Sequence, residues 1–315
     1  MRRYLFIFMF MTSLTLQGQT VAFWNVENFF DIHNDTLKND DDFTPYGRNH
    51  WNNARYEKKR NDIYKTILAL GDEREGAPML VGLAEVENEY VLRYLCRGTP
   101  LRMAHYGWVH FESPDRRGVD VALLYRTDLF ALQWAKAIDV SDTAVDFYTR
   151  DLLLTKGVTS RGDTIYVAVC HLPSKLGGDW AEKQRVRIAG VLRHTLDTIA
   201  TLHPHAYVVA MGDFNSDPQA LDVTTEGFTN LMSGQGAWTG SYKYREQWSF
   251  IDQILVSDNL LPLIRGEAGR LEADFLLELD RRYGGCKPRR TYAGYRYRGG
   301  VSDHLPVRFV LNLSE

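Results

Sequence analysis

The sequence has few cysteines, no strong excess of charge of either sign and no linker-like stretch of proline, glycine or serine. Its 315 residues include three cysteines, Cys96, Cys170 and Cys286, too few to hold a chain of this size together. A hydrophobic core must therefore stabilise the fold. Cys170 lies in an apolar strand pattern, so the disulfide to consider joins Cys96 and Cys286. The formal charge of −3 excludes a protein that coats nucleic acid through its overall charge, and a polyanion would have to meet a local patch or a metal.

Long apolar runs are also scarce, and the clearest one stands at the N terminus. Arg2 and Arg3 precede an apolar run over residues 4–11, which continues weakly to Leu16 and is followed by small and polar residues. This order predicts a secretory signal peptide over residues 1–19, cleaved near Gly18 or Gln19, with an N-terminal strand or uncleaved anchor as the alternative. No other run approaches the roughly 20 residues of a membrane helix. We therefore expect an exported protein, periplasmic or extracellular, without stable membrane association; nothing indicates a protein partner.

The apolar pattern of the remaining chain predicts one α/β domain over residues 20–315. Neither repeats nor low-complexity segments interrupt it. Helical spacing predicts helices over residues 53–70 and 180–200. Short apolar runs predict strands over residues 21–24, 79–84, 119–125, 165–170, 207–211, 250–256 and 307–313.

Polar side chains capable of catalysis or metal binding stand at or near an end of six of these strands, and the last pair stands just before its strand. They are Asn25, Glu85, His171, the pair Asp213 and Asn215, Asp252, and the pair Asp303 and His304. A helix cap, a turn or solvent explains any one of them, but strand ends on one side of a sheet converge on a common cleft. Glu85 and Asp303 can anchor Mg²⁺ or Mn²⁺ through hard oxygens, and Asn25 can add a neutral oxygen. Histidines supply proton transfer and charge stabilisation, with Asp252 placed to orient His304.

The motifs that carry these residues are "WNVEN", "LAEVEN", "CHLPSK", "GDFNSDP", "IDQILVS" and "SDHLPV". In this order, from Asn25 to His304, they resemble the motif series of the endonuclease/exonuclease/phosphatase superfamily, which contains deoxyribonuclease I; the export signal points to a secreted, bacterial-type member. The resemblance implies a four-layer α/β sandwich of two packed mixed sheets flanked by helices.

The resemblance also implies roles for the strand-end residues and a Mg²⁺ or Mn²⁺ cofactor. Glu85 would be the principal metal ligand, assisted by Asn25 and Asp303. Asp213 would activate or orient the attacking water, Asn215 would position it, and Phe214 would point into the core. His171 and His304 would contact the scissile phosphate.

Arginines and one aromatic loop are the candidates for substrate contacts. Some superfamily members carry a catalytic Arg or Tyr in mid-chain, and Arg150 or Arg117 could fill that role here, with a surface charge or salt bridge as the alternative reading of Arg117. In "DRRYGGCKPRRTYAGYRYRGG", we expect Arg289, Arg290 and Tyr292 to bind substrate, unless the loop packs over the sheet edge. The acidic "NDDDFTP" is either a solvated turn or a Ca²⁺ site.

Together these features predict a secreted, divalent-metal-dependent phosphodiesterase, most simply a nuclease acting on DNA or RNA. A phospholipid (sphingomyelinase-like) or small-molecule phosphodiesterase or phosphatase is the alternative enzyme. An inositol-phosphate phosphatase is disfavoured because Ser216 to Pro218 and Gln253 replace the arginine-containing stretches usual there. A non-catalytic binding module is the third reading, although none of the expected side chains is missing.

Overall fold

The computed structural model describes residues 18–71, 76–220, 226–236 and 238–312. The predicted signal peptide lies outside the described residues except at Gly18 and Gln19, which begin the first strand. The α-helices of the described chain are α1 (Asn53–Leu70), α2 (Glu89–Gly98) and α3 (Gly178–Leu202). No helix among the described residues is long and apolar enough to cross a membrane.

The strands of the described chain are numbered in order. They are β1 (Gly18–Phe29), β2 (Leu80–Val86), β3 (Tyr106–His110), β4 (Asp120–Arg126), β5 (Phe130–Ile138), β6 (Leu152–Thr159), β7 (Thr164–His171), β8 (Tyr207–Asp213), β9 (Phe228–Asn230), β10 (Tyr242–Tyr244), β11 (Gln247–Ser249), β12 (Asp252–Ser257), β13 (Ile264–Arg270), β14 (Leu277–Leu279), β15 (Cys286–Pro288), β16 (Tyr292–Ala293), β17 (Arg296–Tyr297) and β18 (Val307–Asn312). Short 3₁₀ segments span Asp41–Phe43, Pro100–Ala104, Thr143–Val145, Lys175–Gly177, Asp258–Leu263 and Asp274–Leu276.

Two mixed six-stranded sheets form the centre of the fold. The first has the strand order β13-β18-β1-β2-β4-β3, and the second has the order β5-β6-β7-β8-β12-β9. Within them β1 runs parallel to β2, and β7 runs parallel to β8. The pairs β10-β11, β14-β15 and β16-β17 form separate two-stranded hairpins.

Successive side chains of each strand point to opposite faces of its sheet, so the core consists of three hydrophobic layers: one between the sheets and one on the outer face of each. In β1, Phe23 faces the second sheet, whereas Trp24 faces the opposite side, where α1 and α2 pack. On the far side of the second sheet, Ile188 and Leu192 of α3 cover Ala210 of β8. The four-layer α/β sandwich predicted from the motifs is confirmed, with both sheets buried on two faces.

Local sequence signals explain where the first helices begin. The side chain of Asn52 accepts a hydrogen bond from the Arg55 amide, and that of Asn88 accepts one from the Val91 amide, so each caps its helix. The prediction of a helix over residues 53–70 is confirmed, and α3 extends two residues beyond its prediction at each end.

The proposed pairing of Cys96 with Cys286 is wrong. Both cysteines are free, with Cys96 buried on α2 and Cys286 exposed in the β14-β15 hairpin. Cys170 is buried in β7, as its apolar strand pattern predicts. The core therefore holds this part of the chain together without a disulfide.

Candidate active site

Strand register brings the strand-end residues to one edge of the sandwich. His171, at the end of β7, pairs with Asp213 of β8, and Asp213 pairs with Asp252 of β12. In the first sheet, Asn25 pairs with Ala84, the residue before Glu85. All the strand-end side chains named above thus come from the same edge, as the sequence predicts.

Left-handed backbone conformations aim several of these side chains. Glu85 has a φ of 62° and lies where the β2-β4 register shifts, and Asn215 has a φ of 49°. Glu27 and Asn28, with φ values of 52° and 53°, form a similar irregularity at the end of β1. Such conformations cost free energy in non-glycine residues and concentrate at functional sites.

His304 is held on three sides at the centre of this edge. Its Nδ1 lies 2.7 Å from Oδ2 of Asp252, and its Nε2 lies 3.8 Å from Oδ2 of Asp213. The Tyr242 ring packs 5.0 Å from the imidazole, and Trp24 Nε1 donates to the His304 carbonyl at 2.9 Å. Although burial favours the neutral ring, Asp252 and Asp213 raise the pKa of His304 well above its usual value. The ring is therefore an oriented imidazolium in this arrangement.

Asp213 is buried and receives hydrogen bonds from two neighbours. Asn25 Nδ2 donates to its Oδ2 at 3.0 Å, and the Asn215 amide donates to its Oδ1 at 2.9 Å. Burial raises the pKa of Asp213 above its usual value. Asn215 also donates through Nδ2 to the Leu172 carbonyl at 3.0 Å, which ties the loop after β8 to the loop after β7. Phe214 between them is buried on the α3 side, as expected.

One ligand atom each of Asp213, Asp252 and His304 lies within 4.8 Å of the others, close enough for a metal site. The contacts favour a different use, because Nδ1 of His304 is bonded to Asp252 and both oxygens of Asp213 accept hydrogen bonds. We therefore treat this group as an acid–base cluster.

Glu85 and Asp303 fit a Mg²⁺ or Mn²⁺ ion better. The Asn28 amide fixes Oε2 of Glu85 at 2.8 Å, while Oε1 makes only a long 3.4 Å contact with Asn25 Nδ2. The Asp303 side chain is 20% exposed and so can take a ligand from solvent. Hard carboxylate oxygens at a half-open position are the donors that these ions prefer. Asn25 turns its amide nitrogen toward the carboxylates, and its Oδ1 accepts from the Glu27 amide at 2.9 Å.

A buried arginine network adjoins His171. Arg150 donates through Nη1 to Asp115 at 3.0 Å and through Nη2 to the Leu172 carbonyl at 2.9 Å. Arg117, half exposed, also contacts Asp115. Burial, together with Arg150 and Arg117, lowers the pKa of His171 well below its usual value, so this ring is neutral. His171 Nε2 lies 3.5 Å from Oδ2 of Asp213.

A second buried network supports the loop that carries Asp303 and His304. Lys59 of α1 is fully buried and donates to the Glu27 carbonyl, to Thr291 Oγ1 at 2.7 Å and to the Val301 carbonyl at 2.8 Å. Oε2 of Glu27 accepts from the Thr291 amide at 2.7 Å. Neither charge was predicted, since a lysine in a charged helix and a glutamate followed by an asparagine resemble surface residues.

Most of the side chains predicted to bind substrate in this loop contact other residues of the protein. Tyr292 is buried, and its hydroxyl donates to the Asn49 carbonyl at 2.9 Å, so its ring face supports the loop instead of facing solvent. Arg290 Nη2 donates to Asp303 at 2.8 Å, and its Nε lies 3.6 Å from Glu27. Arg289 is exposed. Of the three, Arg290 alone lies beside a side chain assigned to the metal.

The acidic segment "NDDDFTP" folds as a turn followed by a 3₁₀ segment. Asp40 Oδ2 accepts from the Asp35 amide at 3.0 Å, closing the turn. Among the described residues, no three carboxylates of this segment converge on one point. Calcium binding here stays a prediction.

The sequence profile of the Endonuclease/Exonuclease/phosphatase family matches residues 20–313. The chain belongs to this family. Its members are metal-dependent phosphoesterases, so the protein is a metal-dependent phosphoric ester hydrolase. The matched range contains every strand-end residue of the site. No curated protein sequence matches the chain.

Solved structures of the family share the fold at low identity. An endonuclease/exonuclease/phosphatase family protein from Bacteroides thetaiotaomicron has a TM-score of 0.58 and 16% identity, covering 94% of this chain and 99% of its own. D. rerio TDP2 complexed with single strand DNA product has a TM-score of 0.52 and 18% identity, with 94% and 99% covered. The Bacteroides thetaiotaomicron mannosyl-6-phosphatase Bt3783 has a TM-score of 0.55 and 17% identity, with 93% and 99% covered.

Proposed function

We propose that the protein is a nuclease that hydrolyses phosphodiester bonds in single-stranded DNA or RNA. The observation that carries this proposal is a set of exposed rings on, or packed against, segments that hold side chains of the site. We call Tyr148, Trp180 and Tyr244 the aromatic rim; they are 36%, 48% and 62% exposed. Stacking on such rings binds unpaired bases of any sequence.

Tyr148 and Tyr244 stand close in sequence to groups at the site, and Trp180 packs edge-on against Phe147, the neighbour of Tyr148, with ring centroids 5.1 Å apart. Tyr148 precedes Arg150 by two residues and lies under the Arg116 guanidinium, 4.9 Å from its ring centroid. Tyr244 follows Tyr242, the residue that packs on His304, and carries Arg245 at 5.3 Å. A guanidinium beside an exposed ring offers a phosphate partner next to a base partner.

The side chains at the strand ends have different roles in the hydrolysis. Asp213, held by Asn25 and Asn215, takes a proton from the attacking water as the water oxygen bonds to phosphorus. The bond from phosphorus to the leaving oxygen breaks, and the leaving oxygen takes up a proton from solvent. His304, oriented by Asp252, donates a hydrogen bond from Nε2 to the phosphate oxygens that gain charge.

Neutral His171 and the fixed guanidinium of Arg150 line the other side of the phosphate position. Glu85 and Asp303, with Asn25 beside them, would hold the divalent ion. When bound, that ion supplies charge neutralisation at the phosphate.

Removal of a rim ring should weaken nucleic-acid turnover without harming the chemistry. We expect Trp180→Ala and Tyr244→Ala each to raise KM for a single-stranded oligonucleotide by about 5- to 100-fold, the equivalent of one stacked base. Hydrolysis of bis(4-nitrophenyl) phosphate, which has no bases to stack, should change less than about twofold. Steady-state kinetics on both substrates measures the difference.

Trp134→Ala is the matched control for this experiment. Trp134 is a 39% exposed tryptophan within β5, which is not one of the segments that hold catalytic residues. Its removal should leave both substrates unaffected. If the rim variants lose both activities equally, or lose neither, the aromatic rim does not bind nucleic acid.

A small phosphate ester is the second candidate substrate, and Arg290 favours it. Its guanidinium contacts Asp303, one of the side chains assigned to the metal. The Arg290 side chain is 43% exposed, so it can also bind a terminal phosphate of a substrate. The similarity to the mannosyl-6-phosphatase supports the same reading. Release of inorganic phosphate from a panel of sugar phosphates, without cleavage of oligonucleotides, would identify this function in place of the nuclease.

We also propose that the protein is exported. The proposal depends on the two arginines and the apolar run at the N terminus, followed by β1 from Gly18 onward. N-terminal sequencing of the protein purified from its native cells tests it. A mature terminus near Gly18 or Gln19 supports export, whereas an intact Met1 contradicts cleavage.

A further inference from the structure

The loop over residues 111–119 links the candidate active site to a second group of ligand-type side chains. This loop carries Asp115 and Arg117 of the arginine network. His110 is the last residue of β3 and Asp120 the first residue of β4, so they stand at the two ends of the loop. Any bond between them closes the loop at its base.

Donor atoms at the base of the loop converge without satisfying one another. One ligand atom each of His110, Glu112 and Asp120 lies within 4.8 Å of the others. His110 Nε2 and Asp120 Oδ2 lie 3.4 Å apart, on side chains that are 5% and 2% exposed. Both atoms are buried and make no hydrogen bond. A buried polar atom without a partner is energetically unfavourable, so the arrangement calls for a ligand.

The spacing of these atoms suits a metal ion. Two ligands about 2.0–2.2 Å from zinc at a tetrahedral angle lie about 3.3–3.5 Å apart, and the nitrogen and oxygen here are 3.4 Å apart. The other oxygen of Asp120 accepts from the Ser113 amide at 3.1 Å, which orients the carboxylate from behind. One imidazole and two carboxylates form a donor set that zinc accepts.

The charges around the group also favour a cation. Glu112 lines a polar cavity together with Asp35, Asp40 and Glu87, and Oδ1 of Asp40 is buried without a hydrogen bond. Lys38 lies in the same wall, but its Nζ donates to the carbonyls of Ser113 and Asp115, at 2.6 and 3.0 Å. These contacts direct the Lys38 ammonium to backbone carbonyls instead of to a carboxylate of the cavity.

We propose that His110, Glu112 and Asp120 form a structural zinc site, separate from the catalytic metal, that clamps the base of the loop over residues 111–119. The clamp fixes Asp115 and Arg117, and through Asp115 it positions Arg150. Zinc is the expected ion because imidazole and carboxylate ligands bind it more tightly than Mn²⁺.

Zinc titration of chelator-stripped protein tests the site. The background is Glu85→Gln, which removes the main carboxylate assigned to the catalytic ion. Isothermal titration with zinc chloride should give one zinc per chain with a micromolar or tighter Kd. His110→Gln or Glu112→Gln added to this background should weaken binding by about 10- to 100-fold or more. Glu112 is exposed, so its substitution leaves folding intact if the buried His110 variant fails to fold.

A second readout distinguishes a structural clamp from incidental binding. Arg116 and Arg117 in the loop are trypsin sites, and zinc should slow cleavage there in the Glu85→Gln protein but not after Glu112→Gln is added. Asp252→Asn is the control, because it alters the acid–base cluster and leaves the clamp residues unchanged. Zinc uptake that survives both clamp substitutions, or that Asp252→Asn removes instead, would overturn the proposal.

Discussion

Replacement of His304 with alanine is expected to lower kcat by about 10²- to 10³-fold, the usual contribution of one positioned hydrogen-bond donor to the charge that develops on the phosphate. The imidazole is fixed by the 2.7 Å contact with Asp252 and faces Asp213. Water that fills the space has neither the charge nor the orientation of the ring. Initial rates on oligonucleotides and on bis(4-nitrophenyl) phosphate should fall together, since the ring acts on the phosphate and not on the bases.

Two further variants define the role of His304. Asp252→Asn keeps the shape but removes the carboxylate that orients the ring, so kcat should fall by a smaller factor, about 10- to 100-fold. His203→Ala, just after α3, removes an exposed histidine that stacks on Tyr166, at the end of β7 opposite to His171, and should have no effect. Activity of His304→Ala within threefold of wild type would show that another group does this work.

The largest expected loss of stability follows from replacement of Lys59 with methionine. The substitution removes a buried ammonium that donates to the backbone carbonyls of Glu27 and Val301 and to Thr291 Oγ1. It also removes one of the two cations, with Arg290, that favour the charged form of the Glu27 carboxylate. Each buried acceptor left without a donor typically costs about 1–3 kcal/mol, so we expect a loss of about 3 kcal/mol or more. Urea unfolding should show this decrease in the free energy of unfolding.

A double substitution and a neighbouring lysine serve as controls. Glu27→Gln combined with Lys59→Met removes both charges, so the pair should lose less stability than the sum of the two single variants. Lys58→Met, one residue earlier on α1, breaks only a partly exposed bond to Asp62 and should cost about 0–0.5 kcal/mol. Equal effects of Lys58→Met and Lys59→Met would contradict the account of the buried network.

The fold was predictable because its strands and helices carry local signals. Strands buried on both faces, such as β2 and β8, read as continuous apolar runs, and α1 begins at an asparagine cap. Edge elements were missed for the opposite reason. One side of β5 faces solvent, so its sequence "FALQWAKAI" mixes charged, polar and apolar residues without a clear run.

The candidate site was predictable as far as strand ends define it. Asp213 and Asp252 follow or open apolar strands, and register alone brings them together. Other charged side chains at this edge of the sandwich could not be recognised from the sequence: Glu27, Lys59 and Asp115. Their partners are between tens and hundreds of residues away in the chain. Long-range ion pairs of this kind depend on tertiary packing, which a single sequence does not express.

The basic, tyrosine-rich loop shows that composition alone does not tell which side chains of a loop are exposed. Arginines beside tyrosines indicate nucleic-acid binding when both are exposed. Here Tyr292 is buried and Tyr297 stacks under Arg55 at 4.4 Å, so these side chains hold the loop against the N-terminal turn of α1. In this loop Tyr295 is the exposed ring, at 59%, whereas the rings of the aromatic rim, Tyr148, Trp180 and Tyr244, are dispersed along the sequence.

The most direct test is the cleavage of end-labelled single-stranded DNA and RNA by the purified protein with Mg²⁺ or Mn²⁺, beside Glu85→Gln and a chelator control. We predict hydrolysis that chelation abolishes and added metal restores, with Glu85→Gln at least about 100-fold slower. Hydrolysis of sugar phosphates alone would keep the catalytic site and replace the substrate. Absence of hydrolysis of any phosphoester with every metal would contradict the assignment of these strand-end residues as a catalytic centre.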